Sequence, residues 1–117
     1  MPGKAKYLMI ASMDVDAEQD AIFNEVYDTE HVPNLSKVPG VLGISHYKRG
    51  TLTMNIGGES KTIEIPGEPT YTAIYELENP EVLTSPAWDK AIEDGRWPSQ
   101  VRPHTKNRRH VLLKLMD

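Results

Sequence analysis

His31 stands in the run Tyr27-Asp28-Thr29-Glu30-His31-Val32-Pro33-Asn34, after which the chain re-enters extended structure through Val38-Pro39-Gly40. Pro33 is expected to block continuation of the preceding helix, placing His31 where that helix ends beside the start of a strand. Histidine is the side chain that titrates near neutral pH, so a ring at such a sheet edge is a candidate general acid/base. A helix C-terminus would stabilise the imidazolium, and Glu30 could orient the ring. The structural alternative is a C-terminal cap bonded to helix carbonyls. Tyr27, one turn earlier, is either a donor to a substrate oxygen or a core ring with its hydroxyl at the edge.

The other candidates for contact with a ligand are Asn34, His46, Tyr47, Glu76 and Trp97. Asn34 can cap the local turn or meet a ligand carbonyl. His46 and Tyr47 are neighbours on one strand, so they point to opposite faces and one of them should enter a sheet-side cavity. Glu76 interrupts an apolar strand, either as a functional carboxylate or in an ion pair with Lys114 or Lys48, because an unpaired buried carboxylate is costly. Trp97 either walls a pocket or anchors its loop, and Trp88 reads as core. The histidines show no metal-ligand spacing, and no cofactor is expected. One histidine suffices as an axial haem ligand, but no pattern here selects for haem. There is no phosphate-binding glycine loop or nucleophile elbow.

With 117 residues, a single domain over 1–117 is expected. The chain has no cysteine, which excludes disulfides and thiolate metal sites and fits a reducing compartment. No apolar run approaches the roughly 20 residues of a membrane span, and Met1-Pro2-Gly3-Lys4 begins no signal peptide, so the expected location is cytoplasmic, with no membrane partner. Residues 1–95 hold 7 Lys/Arg against 16 Asp/Glu, whereas residues 96–117 hold 6 against 1. The positive stretch Arg96, Arg102, His104, Lys106, Arg108, Arg109, His110 is a solvated connection or a patch for an anionic ligand or a partner's acidic face. A nucleic-acid partner is not expected, since the chain as a whole is acidic and carries no reading module.

These residues need elements to hold them. Residues 6–13 form an apolar first strand. Asp16 and Gln19 make a capping-box pattern, and the helix after them carries Ile22, Phe23, Val26 and Tyr27 on one stripe. One further turn of that stripe reaches His31. Strands follow at Val41 to Arg49 and Tyr71 to Glu78, separated by a hairpin over Thr51 to Ile65 that turns at Gly57-Gly58. Ser85-Pro86 opens a second helix, which buries Trp88, Ala91 and Ile92 and can end at Gly95. Residues 96–106 read as a loop before a last strand from Arg108 to Met116. The order is that of an α+β, ferredoxin-like βαββαβ fold with an antiparallel sheet and a hairpin insertion.

Helices on one side of such a sheet leave the other side to water. Yet the first strand is apolar at both parities, and the last carries Val111, Leu113 and Leu115 on one face and Leu112 and Met116 on the other. Leaving them wet would cost several kcal/mol at roughly 25 cal/mol per Å². A homodimer packed sheet to sheet is the expected solution.

The Tyr27 to Pro33 run, Val38-Pro39-Gly40, the strand Tyr71 to Leu77 and Leu83-Thr84-Ser85-Pro86-Ala87-Trp88 together resemble the dimeric α/β-barrel superfamily, specifically its EthD-like and related small members. The resemblance covers most of the chain outside 51–69 and 96–106. It implies a ferredoxin-like protomer, a dimer whose sheets form a barrel, and a cleft lined partly by the segment carrying His31. Superfamily activities include cofactor-independent monooxygenases, isomerases, polyketide cyclases and haem-degrading enzymes, besides stress-response proteins. The function expected is binding of an aromatic or polyketide-like small molecule, with His31 moving protons and Tyr27 polarising an oxygen if the protein is catalytic. The alternative is a non-catalytic binding or stress-response dimer.

Overall fold

The computed structural model describes residues 5–116, so the Met1 to Lys4 segment lies outside the described residues. Strands β1 (Tyr7–Val15), β2 (Val41–Lys48), β5 (Tyr71–Leu77) and β6 (Thr105–Lys114) form one antiparallel sheet in the order β2-β5-β1-β6. Strands β3 (Leu52–Ile56) and β4 (Glu59–Ile63) form a separate ribbon, turning through Gly57 and Gly58, both at positive φ. Helical segments α1 (Asp20–Val26), α2 (Val32–Ser36) and α3 (Pro86–Ile92) complete a ferredoxin-like βαββαβ arrangement with the ribbon inserted. Ser85 caps α3 by accepting a hydrogen bond from the Trp88 N–H at 3.2 Å.

The register decides which side chains meet the helices. Tyr71, Ala73, Tyr75 and Leu77 of β5 are all buried and stand opposite Met13, Ala11, Met9 and Tyr7 of β1. Phe23, Val26, Tyr27 and Leu35 come down on this face from the helical layer, each almost fully enclosed. The stripe read from the sequence therefore forms the core.

Pro33 does not end the helix. Between α1 and α2 the chain makes one π-helical turn, Tyr27–His31, in which the Val32 N–H donates to the Tyr27 carbonyl five residues back. Proline forbids the ordinary bond from its own nitrogen, and a widened turn just before it lets the helix continue. His31 is thus inside a helical run, not at its C-terminus, and the expected cap role disappears with the terminus. Residues expected to form the 96–106 loop contain a second π turn, Trp97–Val101, followed by a 3-10 turn at Arg102–His104. Asp16 makes no side-chain cap. Its carboxylate meets Lys106 at 3.1 Å and His104 at 3.5 Å, and a 3-10 turn at Ala17–Gln19 stands where the capping box was expected.

On the opposite face the sheet has no cover among the described residues. Val111 and Leu113 are 50% and 49% exposed, opposite Ile10 and Leu8. The described residues measure 50 × 43 × 19 Å, a plate one sheet and one helical layer thick. The ribbon also shows Leu52, Met54 and Ile56 to solvent.

Candidate functional site

Between the sheet and the helical layer lies a cleft of about 440 Å³. Met9, Met13 and Tyr75 contribute its floor, and Trp88, Leu83 and Ile92 contribute the wall from the α3 side. Tyr27 and His31 of the first π turn meet Trp97 of the second across the cleft's inner end. The His31 ring stacks on Trp97 with centroids 4.2 Å apart and planes 19° from parallel. Tyr27 meets Trp97 edge-on at 5.3 Å.

Neighbouring residues clamp the two turns together. Arg96, just before Trp97, donates from Nε to Glu30 at 2.5 Å and from its backbone N–H at 2.9 Å, and from Nη2 to Glu25 at 2.7 Å. These bonds hold the Glu30 carboxyl below its usual range, with the backbone donor the largest cause. Glu30 therefore does not orient the His31 ring directly. It fixes the turn that presents Trp97 to that ring.

His31 is only 5% exposed, and its Nδ1 is enclosed with no hydrogen-bond partner among the described residues. Burial pushes its pKa down to about 4, assisted by the positive field of Arg102 and by His46. The ring is neutral at pH 7, where an imidazole can accept a hydrogen bond on one nitrogen and donate on the other. Beside it the Tyr27 and Tyr75 hydroxyls share a hydrogen bond of 2.5 Å. Burial pushes Tyr75 up to about 12 and Tyr27 well above its ordinary value, so both phenols stay protonated. Tyr75→Phe is expected to leave the Tyr27 hydroxyl unpaired and cost about 1–3 kcal/mol. Urea unfolding with an unchanged m-value is the measurement that checks it.

Of the residues singled out in the sequence, the cleft brings together His31, Tyr27 and Trp97. His46, not Tyr47, faces the helices: it stacks on Tyr27 at 4.1 Å, donates from Nδ1 to the Asp28 carboxylate at 3.1 Å, and lies outside the cleft lining. Tyr47 is exposed on the other face. Asn34 sits in α2 and does not line the cleft. Glu76 stands on the outer face and lies over Gly43, where an added Cβ would fall 2.7 Å from its carboxylate. Its expected partners are on the wrong side: Lys48 pairs in register with Tyr71 and Lys114 with Tyr7, both helix-facing positions.

Tyr75, Arg102, Arg108 and His110 also line the cleft; the sequence marks the last three only within the positive stretch, without joining them to His31. Alternation would have found two of them, since Arg108 and His110 share a parity on β6 with Leu112. An extra β6 residue faces Met13 at the bulge between Ser12 and Asp14, where Asn107 takes a left-handed φ of 51°. Asn107 is held there by hydrogen bonds to Asp14 at 3.0 Å and to the Gly67 carbonyl at 2.7 Å.

No protein-family model matches this chain, and no curated protein matches it. Solved structures do. An ethyl tert-butyl ether d (EthD) family protein from Bacillus halodurans C-125 superposes with a TM-score of 0.56 at 15% identity, covering 94% of this chain and 99% of that one. The haem degrader MhuD from Mycobacterium tuberculosis, with two haems in its active site, superposes with a TM-score of 0.54 at 14% identity, covering 95% and 97%. A point variant of MhuD with two manganese protoporphyrins per active site gives 0.56 at 14%, covering 95% and 96%. The ferredoxin-like fold of this chain is the fold of these proteins.

Proposed function

We propose that this protein is a cytoplasmic homodimer of a single domain, binding a small aromatic or polyketide-like molecule in the cleft between its sheet and helices. In this reading His31 exchanges a proton or a hydrogen bond with an oxygen of that molecule, as an isomerase, cyclase or cofactor-free oxygenase would require. The observation that carries it is a neutral imidazole in the cleft wall, its Nδ1 unpartnered among the described residues and its face set by Trp97. Buried polar atoms are nearly always paired, and a ligand-binding site is where an exception has a reason. The apolar floor and the two tryptophans favour a flat ligand. The half-exposed outer face supports the dimer, and the absence of cysteine suits the cytoplasm.

Haem is not carried over from the structural neighbours. At 14% identity those neighbours share the fold alone, and a ligand does not follow from it.

Trp88 and Trp97 are the chain's only tryptophans, and both line the cleft, so intrinsic fluorescence reports its occupancy directly. Titration with hydroxylated naphthalenes, 2-naphthol first, is expected to quench this fluorescence. His31→Phe keeps a ring on Trp97 but removes both nitrogens, and is expected to weaken 2-naphthol binding about tenfold, the worth of one hydrogen bond. Equal affinity in the two proteins would remove His31 from the role. The close enclosure of the ring favours a second reading, a binding protein without turnover. That reading predicts the same loss of affinity and no conversion of any hydroxylated aromatic that binds.

A further inference from the structure

The basic stretch near the C-terminus resolves into pairs, and the pairs leave a remainder. Arg96 is held by Glu25 and Glu30, Arg102 by Glu93 at 2.6 and 3.1 Å, and Arg109 by Glu68 at 3.1 Å. His104 and Lys106 share Asp16. Of the seven basic residues from 96 to 110, only Arg108 and His110 have no acidic partner among the described residues. Both line the cleft, two positions apart on one face of β6 and so about 7 Å apart along the strand. The one acid on the cleft wall is Glu93, already bound by Arg102 on two nitrogens. A guanidinium without an acidic partner among the described residues thus stands at the edge of a cavity walled by Trp88 and Trp97, whose one other charged pair, Glu93 with Arg102, is internally neutral.

We infer that this edge of the cleft is an anion subsite, in which Arg108, with His110 beside it, receives the carboxylate of a ligand whose aromatic body lies against Trp88 and Trp97. The inference rests on the cleft being a ligand site, and it adds the chemical class. A guanidinium presents a planar fork that matches a carboxylate with two parallel hydrogen bonds. Desolvation, and then the Arg108 charge, hold the His110 pKa below its ordinary value, so at neutral pH His110 adds a hydrogen-bonding nitrogen without a second charge. One positive charge suits a monoanion better than a doubly charged phosphate. The bulge at Asn107 fixes the chain next to Arg108, so the guanidinium is carried on constrained backbone.

The test uses 2-naphthoate and its neutral counterpart 2-naphthamide, each titrated into the full-length protein at low salt and followed by tryptophan fluorescence. The expected result is naphthoate binding at least about tenfold tighter than naphthamide, as a charge-assisted pair would give. Arg108→Gln should abolish that preference, bringing the two probes to within about twofold of each other. Arg109→Gln, on the opposite face, should leave both unchanged. Arg108 is exposed and unpaired, so its replacement is not expected to disturb folding. Equal binding of the two probes to the wild type would overturn the anion subsite while leaving the cleft as a ligand site. Binding of neither probe would overturn both.

Discussion

Val111→Asp is expected to split the proposed dimer into monomers at micromolar concentration, with the secondary structure intact. Val111 lies in register with Ile10, which lies in register with Ile74, so the three form an apolar row across the outer face. In an isolated protomer an aspartate at this half-exposed position is solvated and costs little. Packed against a second copy, the same carboxylate has no partner and must be desolvated or protonated. Two-fold symmetry imposes that penalty once from each copy. With several kcal/mol lost, the dissociation constant should rise by a factor on the order of a thousand or more. Sedimentation of both proteins, with circular dichroism as the control, checks this. A wild-type monomer, or a dimeric variant, would show that this face is not where copies meet.

The second large effect concerns acid. Folded His31 has a pKa of about 4, against 6.5 for the free side chain. Between those values the unfolded chain holds a proton that the folded chain does not. Stability therefore rises with pH across this window and is lost as pH falls from 6.5 towards 4. The shift corresponds to roughly 3 kcal/mol at full development. Glu30, Asp14 and Glu93, with pKa values also lowered, contribute with the same sign at lower pH. The diagnostic quantity is accordingly a difference. Urea unfolding of wild type and His31→Phe, run at intervals from pH 4 to 7, should give curves that diverge through this window by about that amount. Parallel curves would mean that the ring titrates alike in the folded and unfolded protein.

Much of the fold was legible because its signals are local and repeated. Ile22, Phe23, Val26, Tyr27 and His31 follow one helical stripe, Gly57-Gly58 turns a ribbon, and Ser85 caps α3. Each follows from spacing and backbone permissiveness alone. The misreadings share a physical cause, which is that several partners were within reach and distance along the chain does not rank them. Asp16 had a local N–H to accept from, and it took Lys106 and His104 instead. Glu76 was assigned lysines that the pleat puts on the opposite face. Pro33 was read as a stop because it forbids one hydrogen bond, but a wider turn offers another. His31 and Trp97 were both singled out, yet nothing in the sequence joined them, since the Glu30–Arg96 clamp spans 66 residues. The basic stretch was visible as charge, and only the coordinates separate the paired bases from the unpaired ones.

The π turn at Tyr27–His31 also bears on how kinship to this protein would be seen. Such a turn holds one residue more than an α turn, and each residue advances a helix by about 100°. Removing a single residue from that stretch would restore an ordinary helix and swing the imidazole off the indole, with every strand still in place. The number of residues separating Phe23 from Leu35 is then a better signature of this site than their identities. A descendant that kept the fold but lost that count would have given up the stacking of His31 on Trp97 with hardly a trace in its composition.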